Sequence, residues 1–257
     1  MTYDHRYKAG NRADVWKHYL LITLMDDLCK SRQLSRDRFC YVDTHAGHGL
    51  YNLEDSPSWH QGIGRFGPQD RDAHPYFRIT AGYLAQNIYP GSWMLAHHYL
   101  KSHHIEADIR LFDTSGAVSS RLEMDSILPP GVTYRQSDGF AAARQEVPAD
   151  LILIDPPYHP DYTADRQRTL DLLADPAAGR AVFVAWVPLL RNRQPLEAAG
   201  CTTFEIHWGS PEDTAGDPMY GCGMMLPARA GQMILSNTGN LESLARHLGG
   251  ELKVRYR

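Results

Sequence analysis

The four residues Asp155-Pro156-Pro157-Tyr158 can carry out a demanding reaction if a fold presents them together. A carboxylate at 155 and the backbone carbonyl of Pro156 can each accept one N–H of an exocyclic amine on a nucleobase. The lone pair of such an amine is delocalised into the ring, so the nitrogen is a poor nucleophile. Two acceptors draw it toward a tetrahedral geometry that carries the lone pair, ready to receive a methyl group. Proline suits position 156 because it lacks an N–H and fixes the turn that offers the carbonyl. Tyr158 then gives a flat face for a base removed from its stack. The plain alternative is a strand-ending turn, since Asp and Pro are ordinary turn residues. An aromatic directly after two prolines weighs against it.

The elements that must position these residues are legible from pattern. The run Leu151-Ile152-Leu153-Ile154 reads as a buried strand, so residue 155 leaves its C-terminal end, the edge at which open α/β sheets bind ligands. Further strands are expected near 39–42, 109–112, 132–136, 181–187 and 203–208, alternating with helical stretches after a first helix over 13–30. This order predicts a doubly wound, mostly parallel sheet of the Rossmann-like kind in a single domain over 1–257. The distance from the first strand to the second is too long for one crossover. Residues 50–88, rich in Gly, Pro, Asp and aromatics, are expected to form a small inserted subdomain. Met224-Met225-Leu226 and Gln232-Met233-Ile234-Leu235 are expected to pair as a closing hairpin.

A second site lies at the end of the first strand, where Asp43-Thr44-His45-Ala46-Gly47-His48-Gly49 follows Phe39-Cys40-Tyr41-Val42. Glycines let backbone approach a ligand closely. Position 52 is Asn, so the dinucleotide fingerprint is incomplete and S-adenosylmethionine is the better fit than a phosphate. Asp113 and Asp138 also end strands: the first can accept from both ribose hydroxyls, the second from the cofactor's adenine amine. Singly, each is better read as a helix cap; as an ordered series of strand-ending acids, the cofactor reading wins. Residues 3–18 interleave Arg6, Lys8, Arg12 and Lys17 with aromatics and histidines. That mixture suits RNA, although on composition alone a solvated lead-in to the first helix is the simpler reading.

The string Tyr3-x-His5-x-x-x-Ala9-Gly10-Asn11-x-Ala13-Asp14-Val15-x-Lys17-His18, followed by Asp43-Thr44-His45-Ala46-Gly47-x-Gly49-x-Tyr51, resembles the ribosomal RNA large subunit methyltransferase J family. Tyr89-Pro90-Gly91-Ser92, Asp138-Gly139-Phe140 and the 151–158 segment continue the resemblance in order; Trp186-x-Pro188 and Gly221-Cys222-Gly223-Met224 extend it more weakly. It implies an enzyme that moves a methyl from S-adenosylmethionine to N6 of one adenine in protein-free 23S rRNA. By position, His18, His45, Ser92, Asp113, Asp138, Gly139 and Asp155 match the family's cofactor contacts. Asp155 with Pro156 and Tyr158 matches its catalytic loop, and Tyr3 matches a residue at the RNA entrance, with Arg6 and Lys8 beside it. The resemblance also implies that residues 1–12 fold over the active site when ligands bind. Three departures stand out: Asp113 where the family has Glu, Asp4 where it usually has Arg, and Lys8 where it has His.

Composition limits the rivals. The net charge of −4 and a pI near 6.3 leave no global basic field, which argues against a non-specific nucleic-acid binder. Four cysteines without paired spacing read as reduced thiols, and the 13 histidines show no metal-ligand spacing. No apolar run is long enough to span a membrane, the N-terminus is too polar for a signal peptide, and a cytoplasmic enzyme without an obligate protein partner is expected. A DNA adenine methyltransferase shares the chemistry but needs a longer recognition domain. A non-catalytic RNA-binding or assembly protein has no use for the 155–158 loop. A protein-glutamine methyltransferase would want a groove for extended peptide.

Overall fold

A computed structural model of the chain describes residues 5–31, 38–124, 128–146, 148–175, 181–212 and 218–256. In chain order the elements are α1 (Arg12–Ser31), β1 (Arg38–Asp43), β2 (Leu50–Asn52), α2 (Pro75–Leu84), β3 (Ile88–Pro90), α3 (Ser92–Ser102), β4 (Glu106–Asp113) and α4 (Gly116–Met124). They continue with β5 (Val132–Gln136), α5 (Gly139–Gln145), β6 (Leu151–Ile154), α6 (Tyr162–Leu173), β7 (Val182–Leu190), β8 (Cys201–His207), β9 (Met219–Pro227), α7 (Ala228–Leu235), α8 (Thr238–His247) and β10 (Glu251–Tyr256). Short 3-10 turns fill His5–Tyr7 and four places between β2 and α2.

Eight strands form one sheet in the order β10-β8-β9-β7-β6-β1-β4-β5, and β2 pairs with β3 in a separate small sheet. The five strands from β5 to β7 are parallel; β9, β8 and β10 complete the sheet antiparallel. This is the Rossmann-like methyltransferase architecture. Consecutive residues of β6 serve opposite cores: Leu151 and Leu153 pack into one, Ile152 and Ile154 into the other. Covering on both faces explains why this strand is an unbroken apolar run rather than an alternation. Each such side chain contributes about 1.5–3 kcal/mol on burial. Because β1, β4, β5 and β6 all run the same way, Asp43, Asp113, Asp138 and Asp155 come out at one edge, around the point where the chain turns from one half of the sheet to the other.

Helix α1 differs from an ordinary surface helix. Every residue from 13 to 25 is buried, including Asp14, Lys17 and His18. It packs against α2, α3, α7 and β9, and the Trp16 indole donates to the Phe204 carbonyl of β8 at 3.0 Å.

The closing hairpin expected from 224–226 and 232–235 does not form. Residues 224–226 lie in β9, between β7 and β8, and residues 228–235 are α7. The buried Ala230 and Ile234 stand four apart, a helical spacing that a short apolar run conceals. The antiparallel edge is closed instead by β10 on β8. Among the described residues no helix is long and apolar enough to cross a membrane.

Candidate active site

Asp155 follows β6 directly, and its Oδ2 meets the Lys17 ammonium at 2.6 Å. Lys17 also reaches Asp14 Oδ1 at 3.1 Å, while Asp14 Oδ2 accepts from the Gly10 amide at 2.9 Å. The side chains of Lys17 and Asp155 are only 7% and 16% exposed. Burial works against the charge on Lys17, but the two carboxylates outweigh it and hold the ammonium well above the ordinary lysine range. The ammonium therefore keeps its charge, and Asp155 Oδ1 is left without a protein donor among the described residues. Pro156 is buried beside it, and its carbonyl is likewise unengaged there.

Tyr158 has a left-handed backbone (φ 51°), uncommon for a non-glycine residue. The turn sends its ring inward, where it packs near Tyr162 and Trp186, and the phenol donates to the Trp186 carbonyl at 3.0 Å. At 8% exposure it reaches this edge as a buried prop under the loop, not as the open stacking face expected from sequence.

The glycine loop beside β6 is held from several sides. Asp43, fully buried, accepts on Oδ2 from the hydroxyls of Tyr41 (2.9 Å) and Ser92 (2.6 Å), and on Oδ1 from the His45 amide (3.3 Å). Burial raises its carboxyl to about 6, opposed by those two hydroxyls. Ser92 thus meets the site by tying the start of α3 to the end of β1. His18 is buried, and its Nδ1 lies 2.8 Å from the Tyr89 hydroxyl, which in turn contacts the Tyr76 hydroxyl at 3.0 Å. Thr44 spends its one hydroxyl proton on the Leu153 carbonyl (2.9 Å), so the His45 Nδ1 at 2.8 Å must be the donor to Thr44 Oγ1. His45 Nε2 is then the acceptor nitrogen. Burial pulls this imidazole down to about 4, with Asp155, Asp113 and Asp138 opposing.

Asp113 accepts the Gly47 amide on Oδ2 (3.0 Å) and the Ser115 amide on Oδ1 (2.8 Å), knitting the glycine loop to the end of β4. Each oxygen keeps a second lone pair. Asp138 is the N-cap of α5: its Oδ1 takes the amides of Phe140 and Ala141. Its Oδ2 pairs with Arg168 from α6, whose guanidinium lies 4.2 Å over the Phe140 ring. Gly139 is required here, because a Cβ would fall 1.8 Å from the Thr44 carbonyl. The glycine lets α5 begin against the glycine loop. Against Asp43, Asp113, Asp138 and Asp155 the described residues set two paired cations, Lys17 on Asp155 and Arg168 on Asp138, so the edge is acidic.

Structure brings His18, His45, Ser92, Asp113, Asp138, Gly139, Asp155, Pro156 and Tyr158 to this edge or directly behind it. Arg6 and Lys8 are exposed on the lead-in to α1, and Tyr3 lies outside the described residues. Sequence reasoning placed Lys17 in a basic surface patch and missed its contact with Asp155. The signal available was an Asp14-x-x-Lys17 pair, one helical turn apart, just ahead of the apolar run Leu20-Leu21-Ile22. Arg168 gave no signal, since nothing in sequence links α6 to the end of β5.

A parallel sheet with a glycine loop after its first strand and an Asp-Pro-Pro-Tyr loop after β6 defines a Rossmann-like methyltransferase. A crystal structure of the protein LPL1258 from Legionella pneumophila has this fold: its TM-score is 0.69 over 96% of this chain and 97% of that one, at 20% identity. Residues 36–199 match the RsmJ family, described as "Ribosomal RNA large subunit methyltransferase D, RlmJ", and the chain belongs to that family. It is similar to the Ribosomal RNA large subunit methyltransferase J of Escherichia coli K12 (26% identical) and of Haemophilus influenzae (29% identical). In both cases 78% of this chain aligns with 76% of the relative.

Proposed function

We propose that this protein methylates N6 of an adenine in large-subunit ribosomal RNA, using S-adenosylmethionine. The observation that carries the reading is the state of the loop after β6. Asp155 is held rigidly by Lys17 through one oxygen, while its other oxygen and the Pro156 carbonyl are unengaged. Two acceptors on one short loop suit an amine with two N–H bonds, and fixed dipoles aimed at a reacting atom are the largest catalytic term an enzyme commonly supplies. Lys17 keeps the carboxylate oriented, so that it draws on the amine without swinging away. Tyr158 fixes the turn from beneath.

The residues fit the cofactor. Four carboxylates against two cations favour a positively charged ligand and disfavour a phosphate at this edge. Asp113 retains lone pairs that would serve ribose hydroxyls, Asp138 would accept from an adenine amine, and Gly139 and the glycine loop clear space for a close approach. His18, His45 and Ser92 would line the same pocket. When bound, S-adenosylmethionine would supply an electrophilic methyl group. Everything else here falls to positioning.

The test is methyl transfer from labelled S-adenosylmethionine to protein-free large-subunit rRNA lacking its own modifications, beside matched duplex DNA and a protein extract. N6-methyladenosine in the rRNA alone is expected. Label in DNA would assign the same chemistry to another substrate; label in protein would end the nucleobase reading.

A further inference from the structure

The acidic strand edge is poor ground for a polyanion, so an RNA substrate has to be gripped elsewhere. Residues 5–12 and 56–65 carry Arg6, Lys8, Arg12 and Arg65 and not one Asp or Glu, in a chain of net charge −4. The fold joins these two stretches into one ridge. The Ser56 hydroxyl donates to the Ala9 carbonyl (2.9 Å), 47 positions away, and the Ile63 amide donates to the Gly10 carbonyl (2.9 Å). Gly62 permits the approach, since a Cβ there would sit 2.1 Å from the Gly10 carbonyl oxygen. The two acids before the ridge, Glu54 and Asp55, lie in the preceding turn, and Glu54 accepts from Asn87 at 3.1 Å.

Two of the cations are arranged as an uncompensated pair. Arg12 Nε donates to the Gln61 carbonyl (3.4 Å) and Arg65 Nη1 to the His247 carbonyl (3.0 Å). Among the described residues neither guanidinium has a carboxylate partner. Burial and the field of Arg65 both push the Arg12 guanidinium down, so the two charges repel. A bound anion would relieve that repulsion, and guanidinium forks match phosphate geometry. Aromatic surface accompanies the charge: Tyr7 is 61% exposed, and the Trp59 and His60 rings lie 4.0 Å apart at 30°. Along α1, Arg12 stands five residues before Lys17, a rise of about 7.5 Å.

Resting on the function proposed above, we infer that the ridge of residues 5–12 and 56–65 is a second contact surface for the RNA substrate. Arg12 and Arg65 grip backbone phosphate of the strand flanking the target adenine, and Tyr7 offers a face to an unpaired base. Binding here is electrostatic and sequence-independent, and it positions the strand while the strand edge selects the base.

The test measures binding of a protein-free large-subunit rRNA transcript over a range of salt, for wild type and variants, alongside S-adenosylmethionine affinity and thermal melting. Arg12→Gln with Arg65→Gln should weaken RNA binding on the order of tenfold and flatten the salt slope by about 1 to 2. Cofactor affinity should stay at the wild-type value. Because Arg65 also holds the end of α8, Arg12→Gln is measured alone, and the charge-retaining pair Arg12→Lys, Arg65→Lys should keep most of the slope. Unchanged RNA affinity and slope in the double Gln variant, with wild-type melting, overturns the inference. So does an equal loss of binding to polyglutamate, which would mark a surface for acidic protein. Wild-type protein that methylates no rRNA sinks the function proposed above; wild-type methylation with normal RNA binding by the variants sinks only the ridge.

Discussion

Asp155 and Asp138 leave parallel strands at the same sheet edge, and each is held by a cation from a distant helix. The Asp155–Lys17 pair is almost sealed from water, whereas the side chains of Asp138 and Arg168 are 45% and 42% exposed. A buried ion pair cannot be dismantled cheaply, because either partner left alone is a desolvated charge. An exposed one is worth little and exchanges readily. The first is therefore a fixed part, suited to aiming a carboxylate at a reacting atom. The second is a removable cover, suited to a carboxylate that must change partners when a ligand arrives.

The largest effect should come from the fixed part. Asp155→Ala should reduce methyl transfer by about a thousandfold or more while S-adenosylmethionine still binds, as read by single-turnover assay beside calorimetry. Substantial turnover would remove this carboxylate from the chemistry. Lys17→Met leaves Asp14 and Asp155 as buried like charges and should cost about 3–5 kcal/mol in urea unfolding. A loss below 1 kcal/mol would erase the distinction between the two pairs.

Acid sensitivity extends the comparison from ion pairs to buried imidazoles. It should come from His74 and His45. Burial holds both imidazoles down to about 4. Unfolded, they bind protons near 6.5, so stability present above that pH is lost as pH falls toward 4. Asp43, raised to about 6, acts in the opposite sense and gains on acidification, while the lowered imidazoles of His97 and His98 add to the loss. His74 also caps α2, its Nδ1 accepting the Tyr76 amide at 3.2 Å. His74→Asn retains a capping acceptor and should flatten the fall in melting temperature between pH 6.5 and 4; an unchanged profile would clear His74. The smallest effect belongs to the cover. Arg168→Ala should change stability by less than about 1 kcal/mol and tighten S-adenosylmethionine binding by up to about fivefold, because it frees Asp138 Oδ2. Weaker binding would make Arg168 a cofactor contact instead.

The parallel sheet was readable because β6 and β1 are short apolar runs that lead straight into an acid, Asp155 and Asp43. Those strand ends are the part of the candidate site that local pattern can encode. Lys17 was misread because its neighbours in sequence are polar and aromatic, as on a surface, while its partner Asp155 lies 138 positions away and the elements that bury α1 are α2, α3, α7 and β9. Tyr158 was placed on the correct loop but with the wrong face outward, since only its left-handed backbone sends the ring inward. Residues 232–235 resemble a strand in composition, and only packing against α1 and β9 makes them helical.

The burial of α1 has a consequence in time. Trp16 is tied to Phe204, 188 positions later, and Lys17 is enclosed by the same packing. At about 5–20 residues per second, roughly 10–40 s separate the synthesis of this helix from that of the strand that covers it. For that interval the face of α1 that the late strands cover is open, although α2 and α3, made earlier, already offer it a partner. Methyl transfer can begin only once β8 and β9 have closed over the earliest helix.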